Sequence, residues 1–163
     1  MHPVPPAQTL TPHPDYFTTL LWRQLVGTTV LNSSVTGPDA HFLASAWCAS
    51  ARAPYGDGGS VVIAFANSAD SEATIRLPAV LAAASFTYFE LTPAASPPTF
   101  EDLQSDVAFL NGKKLAVLPD GSLPEFPFPG VESGPLAELV VGAYSYGFGV
   151  FDTSASDVPA CAA

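Results

Sequence analysis

Seven carboxylic acids in the second two-thirds of the chain are the side chains best suited to chemistry. A positioned pair of carboxyl groups can act as general acid and general base in hydrolysis. These residues are Glu72, Glu90, Glu101, Asp102, Glu125, Glu132 and Glu138. Their sequence surroundings are turns, strand ends and proline-rich loops that lack flanking clusters of aromatic and polar residues. We therefore predict solvated surface carboxylates and nominate no catalytic residue.

The histidines and cysteines give no sign of a metal or redox site. His2, His13 and His41 show no ligand spacing, and the sequence predicts neither a metal nor another cofactor. Cys48 and Cys161 are too far apart for a zinc or CxxC motif. They are either two unrelated buried thiols or a disulfide that ties the C-terminal tail to an early strand.

One modification motif is present. Asn32 begins the tripeptide Asn-Ser-Ser, an N-x-S acceptor for N-linked glycosylation that has meaning only if the chain enters a secretory pathway. Asn32 is therefore a candidate glycosylation site.

Charge and composition exclude several classes of protein. The 163 residues include 15 acidic and 5 basic side chains, so a formal net charge of −10 disfavours binding to nucleic acid. No apolar run reaches the roughly 18 residues needed for a membrane span. The first residues have no basic and apolar segments in the order of a signal peptide. A hydrophobic content of 48% together with 17 prolines and 12 glycines predicts a folded domain of short strands and many turns.

A single helix is predicted, over residues 15–26, after a proline-rich leader or linker at residues 1–14. Asp15 stands at the N-cap position and Gly27 follows the last periodic residue. The apolar stripe consists of Phe17, Leu20, Leu21 and Leu25. Because a helix of about twelve residues is marginal alone, this stripe must pack against a partner.

The rest of the chain, residues 28–163, is predicted to be an antiparallel β-sandwich, since helices do not alternate with strands. Asn111 and Gly112 predict a two-residue hairpin turn. In the last strand, alternation predicts Tyr144, Tyr146, Phe148 and Val150 on one face. The predicted strands cover residues 28–35, 41–48, 60–67, 72–77, 85–91, 106–110, 114–118 and 139–152.

Three blocks of the sequence together resemble the C-terminal region of heparanases, the endo-β-glucuronidases of a glycoside hydrolase family. The first block is PDYFTTLLWRQLVGTTVLNSSV, and the second is SVVIAFANSADSEATIRLP, with its A-x-N and R-L-P endings. The third begins with VAFLNGKKLAVLPDGSLPEF and continues with AYSYGFGVFD and PACAA. The resemblance covers nearly all of residues 12–163.

The resemblance implies a catalytic (β/α)8 barrel upstream and a C-terminal β-sandwich that takes a strand or so from elsewhere in the chain. Residues 15–27 would then be the barrel's last helix, and Phe17, Leu20, Leu21 and Leu25 would face the missing barrel. Both catalytic glutamates of the family lie upstream and map onto no residue here. Cys48 and Cys161 align with a pair that forms a disulfide in animal heparanases.

The resemblance also implies partners and a location. The partners are the upstream barrel and, through the parent protein, a polysaccharide or proteoglycan glycan. The parent would be extracellular, lysosomal or membrane-associated. Residues 37–41 replace the basic cluster of animal heparanases, and with a net charge of −10 this favours a less sulfated glucuronide glycan over heparan sulfate.

Three functions are compatible with these observations. The first is the accessory sandwich of a glucuronidase-type glycoside hydrolase, catalytically incomplete as an isolated chain. The second is a free-standing carbohydrate-binding sandwich in which Tyr55, Tyr88 or Tyr144 stacks on sugar. The third is an inert structural domain.

Overall fold

A computed structural model describes residues 14–33, 40–51, 59–93, 98–118, 122 and 127–162. The leader at residues 1–13 lies outside this part. The elements are α1 (Pro14–Leu25), β1 (Val26–Val30), β2 (Phe42–Ala49), β3 (Val61–Asn67), β4 (Ala73–Arg76), α2 (Ala79–Ala82), β5 (Phe86–Thr92), β6 (Phe109–Leu110), β7 (Lys113–Lys114), β8 (Val131–Ser133), β9 (Glu138–Val141) and β10 (Ser145–Phe151). Short 3₁₀ helices cover Glu101–Gln104 and Pro159–Cys161. None of the helices in the described part is long and apolar enough to span a membrane.

The strands form two antiparallel sheets, which confirms the predicted fold class. The main sheet has the order β1-β2-β3-β10-β5-β6-β7, and β8 pairs with β5. The second sheet is a two-stranded ribbon of β4 and β9. All of the strand pairs in the described part are antiparallel.

The main sheet is covered on both faces, so the described chain has two apolar cores. Helix α1 packs on one face, and the ribbon, α2 and the C-terminal turn pack on the other. The helix-side core contains Phe17, Leu21, Leu25, Val26, Val62, Phe89, Leu91, Ala108, Leu110, Phe128, Phe148 and Val150. The ribbon-side core contains Cys48, Val61, Ile63, Phe65, Leu81, Ala84, Phe86, Leu139, Val141, Phe151 and Cys161.

Helix α1 is fixed to the rest of the fold by a buried polar contact as well as by its apolar stripe. The Nε2 of Gln24 donates to the carbonyl of Phe128 at 3.0 Å, and the backbone N–H of Phe128 donates to Oε1 of Gln24 at 2.9 Å. Both groups are buried, so this pair of bonds satisfies a side-chain amide that would otherwise be costly to bury.

The end of the helix differs from the prediction. The helix stops at Leu25 and the chain enters β1 at Val26, so Gly27 is a strand residue and not a helix cap. A Cβ atom at Gly27 would lie 2.7 Å from the carbonyl oxygen of Cys48, which requires glycine there. The glycine is needed for the close approach of β1 to β2.

The predicted last strand, residues 139–152, is two strands and a turn. β9 pairs with β4 in the ribbon, whereas β10 lies in the middle of the main sheet between β3 and β5. Tyr144 has a φ of 49° in the intervening turn and so does not continue the stripe of Tyr146, Phe148 and Val150. The sequence also failed to predict β8, and the predicted strand at residues 114–118 is reduced to the two-residue β7.

Candidate functional site

The described carboxylates among those considered from the sequence do not converge on one site. Glu72, Glu101, Glu132 and Glu138 are exposed, and Glu125 lies outside the described residues. Asp102 accepts hydrogen bonds from the N–H and hydroxyl of Thr99 at 2.7 and 2.8 Å and so closes a local turn. Glu138 forms an exposed ion pair with Arg76 at 3.3 Å. Each of these placed groups is therefore solvated or engaged in local structure.

Glu90 is a partly buried carboxylate on β5. Its Oε1 accepts the backbone N–H of Gly142 at 3.3 Å, and Tyr88 lies two residues away on the same face of β5. Burial, and secondarily the Glu90 carboxylate, raises the pKa of the Tyr88 hydroxyl well above its usual range. That hydroxyl is buried and makes no hydrogen bond of normal geometry, although Glu90 is near enough to affect it. Glu90 fastens the β9–β10 turn to the sheet and lines neither of the grooves described below.

The described residues that could ligate a metal are also dispersed. No group of three histidine, cysteine or acidic side chains comes together within the described residues. His41 is exposed just before β2, while His2 and His13 lie in the leader outside the described part.

A groove beside helix α1 is the more distinctive feature of the surface. Two connected depressions of about 540 and 510 Å³ share Thr18, Trp22 and Tyr146, and we call them the helix groove. Trp22 is 38% exposed and makes edge-to-face contacts with Trp47 and Phe148 at ring-centroid distances of 5.3 and 6.1 Å. Asp15 and Thr19 complete one end, and Leu43, which is 70% exposed, stands at the other.

The other face of the sheet has its own opening, which we call the ribbon groove. It has a volume of about 340 Å³ and lies between β2, β4 and α2. Its lining is apolar except at the rim, where Asn32, Ser33, Ser45 and Arg76 stand. The apolar lining is formed by Leu31, Ala44, Ala46, Val61, Ile63, Ile75, Leu77, Pro78, Val80, Leu81 and Val158.

Comparison with known proteins identifies the family that this chain resembles. Heparanase from Gallus gallus is 31% identical over 141 residues, which are 84% of this chain and 25% of that protein. The resemblance to heparanases is confirmed. Baicalin-beta-D-glucuronidase from Scutellaria baicalensis is 29% identical over 140 residues (86% of this chain, 24% of that one). Heparanase from Bos taurus is 28% identical over 138 residues (84% and 24%). No protein-family model matches the sequence.

The heparanase-like chain thus spans about a quarter of the length of the curated relatives that it matches. The motifs that carry the resemblance have structural roles in this fold. Asn67, the last residue of the A-x-N motif, is buried, and its Nδ2 donates to the carbonyls of Ser71 and Gly142, both at 2.8 Å. Its Oδ1 accepts the N–H of Ala69 at 3.1 Å. One side chain therefore joins the β3–β4 loop to the β9–β10 turn.

The heparanase-like L-N-G motif forms the predicted turn between β6 and β7. Asn111 and Gly112 have φ values of 49° and 78°, as the two central residues of such a hairpin turn require. The Oδ1 of Asn111 accepts the N–H of Glu90 at 2.8 Å, and its Nδ2 donates to the carbonyl of Tyr88 at 3.1 Å. The asparagine side chain thus continues the pairing of β5 beyond the end of β6.

The predicted barrel-facing stripe of this heparanase-like chain needs a correction. Phe17, Leu21 and Leu25 are at most 2% exposed in the helix-side core, and Leu20 is partly buried against it. The four residues face the sandwich of their own chain because its sheet offers an apolar surface, including Phe89 and Phe148. The large apolar side chains that α1 leaves exposed are Tyr16 and Trp22.

The aromatic residues proposed for sugar stacking are also placed differently from the prediction. Tyr88 is stacked on Phe65 with ring centroids 5.7 Å apart and is half-buried in the ribbon-side core. Tyr144 contacts the exposed ring of Phe100 edge-on at 6.5 Å, and Tyr55 lies outside the described residues. The aromatic residues that line the helix groove are Trp22 and Tyr146, and Tyr146 also packs against the helix-side core.

The predicted pairing of the two cysteines is present. Cys48 and Cys161 form a disulfide with a Cα–Cα distance of 5.2 Å, joining β2 to the C-terminal 3₁₀ turn across 113 residues. In the chain-entropy model a loop of this size contributes about 4–5 kcal/mol to stability.

Proposed function

We propose that this chain is the accessory C-terminal β-sandwich of a heparanase-like glycoside hydrolase acting on glucuronide-containing glycans. The proposal rests on the alignment with the Gallus gallus heparanase, which covers 84% of this chain but only 25% of that protein. The name of a second relative, Baicalin-beta-D-glucuronidase, supports glucuronide as the bond type. The activity belongs to the whole parent protein, and this chain is catalytically incomplete.

The scattered carboxylates support that incompleteness. A retaining glycosidase needs two carboxyl groups about 5–5.5 Å apart, and an inverting one needs them about 6.5–9.5 Å apart around a water. The described acids instead cap turns, form a surface pair or lie in solvent. The acid and the nucleophile are therefore proposed to come from an upstream (β/α)8 barrel.

The helix groove is the surface that we propose for contact with this barrel. It has the rigid exposed aromatic Trp22 at its centre and Leu43 at its edge, and aromatic anchors of this kind dominate protein interfaces. Its partner is proposed to be the upstream barrel because α1 lies at the N-terminal side of the sandwich, where a preceding domain joins it. Residues 1–14 would then be the connection.

The net charge supports the proposed substrate class, and the disulfide supports the proposed location of the parent protein. A net charge of −10 repels a polysulfated chain, so a weakly sulfated or unsulfated glucuronide glycan is the proposed substrate class. Disulfides persist in oxidising compartments, and a secreted, lysosomal or cell-surface parent is accordingly proposed.

Binding to the barrel tests the proposed partner surface. Trp22→Asp places a charge in the centre of the helix groove and is expected to weaken association with the parent's barrel at least tenfold, measured by titration calorimetry with separately purified parts. Val140→Asp is the matched control, because Val140 is 50% exposed on the ribbon, on the far side of the sheet. Equal affinity of both variants would contradict this surface, and a parent sequence without a barrel would contradict the function itself.

A second function, a free-standing carbohydrate-binding module, is favoured by one observation. The helix groove combines two aromatic rings with the hydroxyls of Thr18 and Thr19 and the carboxylate of Asp15, which suits stacking and hydrogen bonding to a sugar. This function predicts measurable affinity of the isolated chain for glucuronide oligosaccharides, lost in Trp22→Ala. The accessory role predicts no such affinity.

A further inference from the structure

The chain contains three asparagines, and the structure divides them into two kinds. Asn67 and Asn111 are engaged through their side-chain amides with backbone groups of neighbouring segments. Asn32 is exposed, and none of the described residues makes a hydrogen bond to its amide. Asn32 is also the one asparagine of the three that begins an N-x-S/T tripeptide.

The backbone around Asn32 is held in place although its side chain is exposed. The N–H of Leu31 donates to the carbonyl of Ala46 at 2.9 Å, and the hydroxyl of Ser33 accepts the N–H of Ala46 at 3.3 Å. These bonds extend the pairing of β1 with β2 past Val30. Asn32 therefore projects from a fixed position at the end of an edge strand.

The disulfide supplies a second, independent observation about the compartment. Cys48 and Cys161 are both buried and bonded to each other, and disulfides form and persist in oxidising environments such as the endoplasmic reticulum. Chains that fold in that compartment are exposed to the transferase that modifies N-x-S/T tripeptides.

We infer that Asn32 carries an N-linked glycan. In the transfer, the Nδ2 atom of Asn32 forms a bond to C1 of the first sugar of a lipid-pyrophosphate-linked oligosaccharide. The bond from C1 to the pyrophosphate oxygen breaks, the lipid pyrophosphate leaves with the electron pair, and one Nδ2 proton passes to a base of the transferase. The reaction needs no oxidant or reductant.

The position of this glycan gives it a physical consequence. Asn32 stands on the rim of the ribbon groove, whose lining is apolar, and at the end of β1, which is an edge strand of the main sheet. Exposed edges and apolar grooves promote association with other chains. A hydrated glycan attached here covers the groove mouth and hinders pairing along that edge.

Translation of the whole chain behind a signal peptide, with endoplasmic-reticulum microsomes, tests the modification directly. Transfer occurs on the nascent chain, so the result does not depend on folding. We expect a single added glycan that an endoglycosidase removes, that Asn32→Gln and Ser34→Ala abolish, and that Ser34→Thr retains. Unmodified chain in the wild type, or a glycan that persists in Asn32→Gln, would overturn the inference.

Moving the glycosylation tripeptide from Asn32 to another asparagine tests whether the fold accommodates a glycan only at Asn32. Ala69→Thr in an Asn32→Gln background creates a new N-x-T acceptor that begins at Asn67, an asparagine that is 2% exposed. A glycan at Asn67 displaces its three hydrogen bonds, so this chain is expected to be retained in cells, whereas the wild type is secreted with its disulfide formed. Equal secretion of both chains would contradict the claim that the fold accommodates a glycan at Asn32 but not at Asn67.

Discussion

Asn67 is a buried residue whose side chain joins two separate segments of the fold. Its amide bonds reach the β3–β4 loop and the β9–β10 turn, and the residue is 2% exposed. The sequence singled it out only as the end of an A-x-N motif. The partners were unpredictable because they depend on the split between β9 and β10, which periodicity did not reveal.

Removing this amide is expected to cost stability. Asn67→Ala leaves the Ser71 and Gly142 carbonyls without their donor, and we expect the free energy of unfolding to fall by about 1–3 kcal/mol. Asn32→Ala is the control and is expected to change stability by less than about 0.5 kcal/mol, because Asn32 is exposed. Urea unfolding followed by tryptophan fluorescence measures both, and equal stability of the two variants would contradict the role of Asn67.

Tyr88 gives a prediction about pH. Its pKa is raised in the folded chain, whereas an unfolded tyrosine ionises near pH 10. Above about pH 10 the unfolded state therefore binds fewer protons than the folded state, and stability falls as the pH rises. Burial raises the pKa of Tyr146 in the same direction.

The variant Tyr88→Phe separates this contribution from the other titrating groups. It is expected to flatten the fall in unfolding free energy between about pH 9 and about pH 11, a range that brackets the ionisation of an unfolded tyrosine. Urea titrations of the variant and the wild type at each pH measure the two slopes. If the unfolding free energy of Tyr88→Phe falls with pH as steeply as that of the wild type, the Tyr88 hydroxyl is accessible to solvent in the folded chain.

At the scale of elements, helix α1 shows what the sequence predicts and what it does not. Periodicity predicted the helix and its apolar stripe almost to the residue, since both depend on local spacing. The surface that covers the stripe depends on long-range contacts, and here it is the chain's own sheet. The same reasoning explains why β2, β3 and β5 were predictable from the sequence, while the three-residue, fully exposed β8 was not.

The packing of α1 on the sheet is tested at Leu21. This side chain is 0% exposed in the helix-side core, and we expect Leu21→Ala to lower the free energy of unfolding by about 2–5 kcal/mol. Arg23→Ala, on the exposed side of the same helix, is expected to change it by less than about 0.5 kcal/mol. A small effect at Leu21 would mean that the stripe is free in solution and available to another domain.

At the scale of the whole molecule, the described chain is a three-layered body of helix, main sheet and ribbon, with its C-terminal turn fastened by a disulfide. Its described acids are spread over the surface, and its similarity to heparanases covers about a quarter of their length. The resemblance to heparanases and the fold class were predictable because motif order and strand periodicity are local properties of the sequence. The outward-facing surface was not predictable from the sequence, because it depends on which side chains the long-range packing of the chain leaves exposed.

Hydrolysis of an aryl β-D-glucuronide tests the central claim that this chain is the non-catalytic part of a glycoside hydrolase. The assay compares the purified chain alone with the chain joined to the parent's proposed barrel. We predict no turnover above buffer for the chain alone and measurable turnover for the joined protein. Turnover by the chain alone that is abolished by Glu90→Gln, or by replacing another of its own carboxylates, would contradict the account.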